Sequence, residues 1–274
     1  MPEAISSLMA QAYGDKGDIA IGNVIGSNIA NLSLVLGASL FVCPIKVVDR
    51  LRKHGLPILI AITLLTFLLL ILSQGYFSRF VSCFFLIGFA AYMYYQLQHS
   101  EECNSKEEKE LSEAVKSEVR EERVSYFFQS YNLFLAVILL TGGSYFLVEG
   151  SVELAMMLGF SERVTGLTFV ALGSSAPELA TSLVAAMRGH CDDFSLGGIV
   201  GSNIFNLLFI LGLVGFIYPI NYSMTLVWWD AIWMIAITGV FTYLVFKREK
   251  LASKEGGVLL SCYGLYLLSL YIFS

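Results

Sequence analysis

The feature that most constrains this 274-residue chain is a series of apolar blocks, each about as long as a membrane crossing. A helix rising 1.5 Å per residue needs about 20 residues to span a bilayer core of about 30 Å. Such blocks fall at Ile19–Val42, Leu56–Leu72, Phe77–Leu97, Tyr131–Leu154, Val164–Ala186, Leu196–Ile217, Leu226–Phe246 and Gly257–Phe273, with a shorter one at about Pro2–Tyr13. Charged residues are only 14% of the chain, where a soluble domain carries about a quarter. The sequence predicts an all-α polytopic membrane protein of about eight full helices plus a partial first one. No basic segment precedes the first block, so it does not read as a targeting peptide.

Basic residues give the direction of insertion. If the polar stretch 98–130 is cytoplasmic and the spans alternate, 14 of the 17 Lys and Arg residues fall on that side. They include Lys46, Arg50, Arg52 and Lys53 in one turn, Arg188 in another, and Lys247, Arg248, Lys250 and Lys254 in a third. Only Lys16, Arg79 and Arg163 fall outside, which is the positive-inside bias. The expected location is the plasma membrane, with linker 98–130 cytoplasmic. Leu111, Val115 and Val119 recur every four residues in that linker, as in a short amphipathic helix. The five cysteines lie far apart with no CxxC, so packing is their expected role.

The linker also separates two copies of one motif. PEAISSLMAQAYGDKGDIAIGNVIGSNIANLSLVLG, from Pro2, aligns without a gap on PELATSLVAAMRGHCDDFSLGGIVGSNIFNLLFILG, from Pro177, with 16 identities in 36 positions. General apolarity does not match Pro, Glu, Asn and Asp at a fixed offset of 175. Five crossings separate Glu3 from Glu178, so the second copy is expected upside down relative to the first. Inverted repeats of this kind build transporters with midplane sites. The chain divides accordingly into a first half 1–97, the linker 98–130 and a second half 131–274.

The second copy, GLTFVALGSSAPELATS, carries the chemistry. Glu178 sits within an apolar span, where a bare carboxylate costs about 2.5 kcal/mol or more and needs a partner. Ser174 and Ser175 precede it by four and three residues, on the same helical face. Pro177 removes a backbone N–H and crowds the preceding turn, which predicts a kink with freed carbonyl oxygens. In the next span Ser202 and Asn206 share a face, and Gly197, Gly198, Gly201 and Gly212 permit close helix approach. Asn28 and Asn203 are offset from that face, so helix–helix hydrogen bonding and ligation remain equal readings. Carboxylate, hydroxyl, amide and carbonyl oxygens without His or Cys suit a hard cation such as Ca²⁺ or Na⁺. Glu149, Glu153 and Asp230 fall near predicted helix ends and read mainly as interfacial.

GLTFVALGSSAPE followed by GxxVGSNIFN, duplicated in inverted orientation, resembles the α-repeats of the cation/Ca²⁺ exchanger superfamily, in particular prokaryotic-type Na⁺/Ca²⁺ antiporters. The resemblance implies two five-helix halves and exchange of Ca²⁺ for Na⁺ by alternating access. It implies Glu3 and Glu178 as shared carboxylate ligands, with Ser27, Asn31, Ser202 and Asn206 as polar ligands. Ser174 and Ser175, with the Ala171 carbonyl, would serve Na⁺. Asn206 stands where many relatives carry Asp, which lowers the site's charge and weakens the case for K⁺ cotransport. By the offset of 175 nothing in the first copy matches GLTFVALGSS, so an N-terminally incomplete first half is expected. The expected partners are Ca²⁺, Na⁺ and the lipid bilayer, with no nucleic acid and no cofactor. An enzyme is not expected, since His54, His99 and His190 fall at loops or helix ends. The alternative function is a non-transporting membrane scaffold or inactive exchanger fragment.

Overall fold

The structure, a computed structural model, describes residues 2–12, 17–100, 175–187 and 196–273, with isolated positions between 131 and 173. Its helices are α1 (Pro2–Ala12), α2 (Gly17–Ala30), α3 (Leu36–Val42), α4 (Leu56–Leu72), α5 (Arg79–Ser100), α6 (Ala176–Met187), α7 (Leu196–Phe205), α8 (Leu211–Ile217), α9 (Met224–Lys247) and α10 (Ser253–Phe273). Wide π-helical turns at Asn31–Val35 and Asn206–Ile210 join α2 to α3 and α7 to α8, and a third, Leu51–Gly55, leads into α4. Six of the eight full spans read from the sequence appear as helices long and apolar enough to cross a membrane. The Tyr131–Leu154 span, the linker and the start of the Val164–Ala186 span lie outside the described residues, apart from isolated helical positions.

The repeat extends well beyond the aligned motif. The π turns at 31–35 and 206–210, helices α3 and α8, and strands β1 (Ile45–Lys46) and β3 (Ile220–Asn221) each match at the offset of 175 read from the sequence. Inversion follows from the strand pairing. Ile45 pairs with Leu251 and Lys46 with Lys250, in antiparallel β1–β4, where β4 is Lys250–Leu251. Tyr76 pairs with Asn221 and Phe77 with Ile220, in β2–β3, where β2 is Tyr76–Phe77. Helix α4 carries the chain from the first pair to the second, so β1 and its counterpart β3 lie at opposite ends of the bundle.

The end holding β1 and β4 gathers the basic turns at Lys46–Lys53 and Lys247–Lys254, as the charge pattern requires. Arg52 fastens them: Nε donates to the Val245 carbonyl at 3.1 Å and Nη2 to the Arg248 carbonyl at 2.5 Å. Its ion pair with Asp49, 3.7 Å away and largely exposed on the Asp49 side, adds little. Arg52→Ala is expected to cost roughly 1 kcal/mol in denaturant unfolding of the detergent-solubilised protein, and Lys, lacking the planar fork, should not restore it.

Burial sorts the helices into a centre and a rim. The Gly17–Val42 span is 83% buried and Leu196–Ile217 is 67% buried, whereas the other four spans reach 39% at most. The two motif-bearing spans therefore form the protein-lined core, and α4, α5, α9 and α10 turn apolar faces outward. Glycine permits the closest approaches: a Cβ on Gly37 would lie 2.9 Å from Leu260 Cγ, and one on its repeat mate Gly212 would lie 3.1 Å from Leu86 Cγ. Gly201, expected to act likewise, faces no neighbour within 4 Å among the described residues.

Three expectations are refined. Pro177 stands in the first turn of α6, with Ser175 in the turn before it, a position where the missing N–H leaves no gap in the helix; most of the segment expected to kink lies outside the described residues. Asp230, three residues into the Val227–Lys247 span, is 2% exposed between α9 and α10, where the Tyr266 hydroxyl donates to its Oδ1 at 3.1 Å. Cys43 is disulfide-bonded rather than a packing thiol, while Cys83 and Cys262 are free.

Candidate cation site

Four elements converge at the centre, two from each repeat. Helix α1 packs on α2 and on the far repeat's π turn 206–210, and α6 packs on the π turn 31–35. This crossed arrangement brings Glu3, near the start of α1, and Glu178, in the first turn of α6, within electrostatic and hydrogen-bonding reach of each other. Both carboxylates lie in the N-terminal turns of their helices, where the dipole favours negative charge. Glu3 is 2% exposed. Asn23 steadies its backbone: Nδ2 reaches the Glu3 carbonyl at 3.1 Å, Ser6 Oγ at 2.8 Å and Ser7 Oγ at 2.9 Å.

Asn31 and Asn206 open the two π turns. A π turn inserts an extra residue into the helix and commonly marks a functional site. The four asparagines of the two GSNIxN motifs form a closed, two-fold set of bonds. Asn28 Nδ2 donates to the Asn203 carbonyl at 3.3 Å, and Asn203 Nδ2 to the Asn28 carbonyl at 3.1 Å. Asn31 Nδ2 then donates to Asn203 Oδ1 at 3.2 Å, and Asn206 Nδ2 to Asn28 Oδ1 at 3.1 Å. A further Asn31 Nδ2 contact reaches Ser202 Oγ at 3.4 Å. For Asn28 and Asn203 the structure thus selects helix–helix hydrogen bonding.

Among the described residues several oxygens here have no hydrogen-bond partner: Asn31 Oδ1, Ser175 Oγ and Glu178 Oε2 are buried. Each such atom costs about 1–3 kcal/mol unless something else satisfies it. Ser27 is fully buried, Asn206 is buried, and Ser202 is partly buried with its hydroxyl on the Ile199 carbonyl at 2.9 Å. Of the residues singled out in the sequence, Glu3, Ser27, Asn31, Ser175, Glu178, Ser202 and Asn206 come from the converging elements, while Ala171 and Ser174 lie outside the described residues. No group of three or more His, Cys, Asp or Glu occurs among the described residues, so a cation here would rest on two carboxylates and neutral oxygens.

The sequence matches the profile of the sodium/calcium exchanger protein family over residues 1–98 and 130–272. The chain belongs to the sodium/calcium exchanger family. This exchanger is 36% identical to the putative antiporter CaxA of Alkalimonas amylolytica over 218 residues, 80% of the present chain and 66% of CaxA. It is 28% identical to the sodium/calcium exchanger MaX1 of Methanosarcina acetivorans, covering 99% of this chain and 85% of that one. Its fold matches the sodium-calcium exchanger NCX_Mj, solved after soaking with 2.5 mM Na⁺ and 10 mM Sr²⁺, at a TM-score of 0.73 and 26% identity, over 98% of this chain and 82% of that one. The expected inverted-repeat, multi-pass membrane fold is therefore borne out.

Two features of the site were not read from the sequence. Asn23 escaped because its repeat mate is Gly198, and symmetry drew attention only to matched residues. Its one signal is an amide inside an otherwise apolar, wholly buried stretch. The π turns leave no signature in periodicity, because a single extra residue merely shifts the apolar stripe.

Proposed function

We propose that this exchanger carries Ca²⁺ and Na⁺ in opposite directions across the membrane, both ions competing for the site between the repeats. Glu3 and Glu178 serve as shared carboxylate ligands, and Ser27, Asn31, Ser202 and Asn206 complete the Ca²⁺ shell with hydroxyl and amide oxygens. Ser174 and Ser175, with the Ala171 carbonyl, serve Na⁺. The observation that carries this reading is the set of three partnerless buried oxygens, Asn31 Oδ1, Ser175 Oγ and Glu178 Oε2, drawn from both repeats. A hard cation takes six to eight oxygens and would satisfy all three together.

Charge balance gives the mechanism. Two adjoining carboxylates are compensated by one Ca²⁺ or by a pair of Na⁺ ions. Left empty, they would face each other as like charges in a low-dielectric centre. Reorientation of the repeats is therefore favoured with either ion bound and opposed without one, which couples the two fluxes. Chain halves 1–97 and 131–274 provide the two sides of the site, and linker 98–130 joins them on the cytoplasmic face of the plasma membrane, following the basic turns. The non-transporting reading predicts no such coupling.

Ca²⁺ binding to the detergent-solubilised protein tests the site. At 100 times its dissociation constant, Ca²⁺ should stabilise the fold by about 2.7 kcal/mol, and added Na⁺ should reverse the gain. A thermal midpoint indifferent to Ca²⁺ would contradict the proposal.

A further inference from the structure

The geometry points to Asn28 and Asn203 as positioning residues, each of which orients the ligand amide of the opposite repeat. This rests on the cation-site reading given above. A main-chain carbonyl can only accept a hydrogen bond, so the contacts of Asn28 Nδ2 with the Asn203 carbonyl and of Asn203 Nδ2 with the Asn28 carbonyl fix which end of each amide is the donor. Each Oδ1 is then an acceptor facing back across the interface. Only an NH₂ can meet it, so Asn206 presents Nδ2 to Asn28, and Asn31 presents Nδ2 to Asn203. With the nitrogens committed, the opposite ends of Asn31 and Asn206 are oxygens. Asn31 Oδ1 is one of the buried atoms left without a partner.

Without this brace an amide can rotate by half a turn at little steric cost and present NH₂ to a cation, which repels it. Fixing the amide therefore separates a ligand from an obstacle. The connection is crossed: Asn28 of the first repeat governs Asn206 of the second, and Asn203 governs Asn31. Both braces depend on the two motif helices staying docked. The same logic gives Asn206 a positive role where a carboxylate would be a stronger ligand. An Asp at this position has no proton to donate to Asn28 Oδ1, so this brace requires the amide.

The test is a pair of double-mutant cycles read as apparent KM for Ca²⁺ and maximal rate in Na⁺-loaded proteoliposomes. Asn28→Ala retains the Asn28 carbonyl, so the Asn203 bond to it, and with it the orientation of Asn31, survives. Asn28→Ala is expected to raise KM by about 10–100-fold, the usual effect of removing a group behind a metal ligand, with a smaller change in maximal rate. Added to Asn206→Ala it should cause no further rise, whereas added to Asn31→Ala the effects should multiply. Asn203→Ala should show the mirror pattern, non-additive with Asn31→Ala and multiplicative with Asn206→Ala.

Multiplicative effects within the predicted pairs, or an unchanged KM in Asn28→Ala, would overturn the assignment. So would a failure of both Asn28→Ala and Asn203→Ala to fold while Asn31→Ala and Asn206→Ala fold normally, since that outcome makes the brace purely structural. If the unmodified chain shows no Na⁺-driven uptake, the exchange reading fails and the brace does not; the same cycles are then read from Ca²⁺-induced thermal stabilisation.

Discussion

Glu178→Gln is expected to remove Na⁺-driven Ca²⁺ uptake, by more than about 100-fold, while the protein still inserts and folds. Loss of groups behind a metal ligand alone commonly costs 10–100-fold in affinity, and this change removes a ligand and half of the site's negative charge. The variant keeps the side-chain volume, so packing of α6 on the π turn 31–35 is preserved. Its Oε2, buried without a hydrogen-bond partner in the parent, is no longer anionic, and one carboxylate cannot balance a divalent ion. Folding should therefore hold or improve as binding disappears. The check is ⁴⁵Ca²⁺ uptake normalised to folded protein; uptake near the parental level would refute the role of Glu178. Glu3→Gln should behave likewise, because the two carboxylates occupy equivalent places in the repeats.

The second large effect is structural. A Cβ on Gly256 would lie 2.7 Å from the Gly37 carbonyl oxygen and 3.0 Å from Leu40 Cβ. The first of these is backbone on the facing helix and cannot rotate aside. Gly256→Ala should therefore push α10 away from α3 and cost about 1–3 kcal/mol, as overpacking does, and Gly256→Val should cost more. Because α3 continues directly from the π turn opened by Asn31, Ca²⁺ stabilisation should weaken as well. Gly264 on the same helix provides the control, since a Cβ there meets nothing within 4 Å among the described residues. Gly264→Ala should be neutral, or stabilising by up to about 1 kcal/mol through the unfolded chain. Thermal unfolding of the two alanine variants in one detergent compares them directly; equal midpoints would contradict the packing account.

Much of this molecule is legible in the sequence, for physical reasons that differ between its parts. The spans are readable because a bilayer imposes a length and an apolarity that hardly any other environment does. The inversion is readable because PE and GSNIxN recur at one offset, and polar residues in lipid are too costly to recur by chance. What escaped depends on the path of individual atoms. Asp230 lies only six residues from the start of α9, and nothing in VWWDAIW announces the Tyr266 hydroxyl waiting on α10. The roles of Asn28 and Asn203 stayed open because one amide can ligate or brace. Only the positions of the facing carbonyls decide between the two.

The central claim is that occupancy of one site by Ca²⁺ or Na⁺ couples their movement in opposite directions. Purified protein reconstituted into liposomes loaded with Na⁺ and diluted into Na⁺-free medium containing ⁴⁵Ca²⁺ tests it most directly. The account predicts rapid Ca²⁺ accumulation that vanishes when Na⁺ is equal on both sides or replaced by choline inside. Absence of accumulation, or accumulation at the same rate without a Na⁺ gradient, would contradict it.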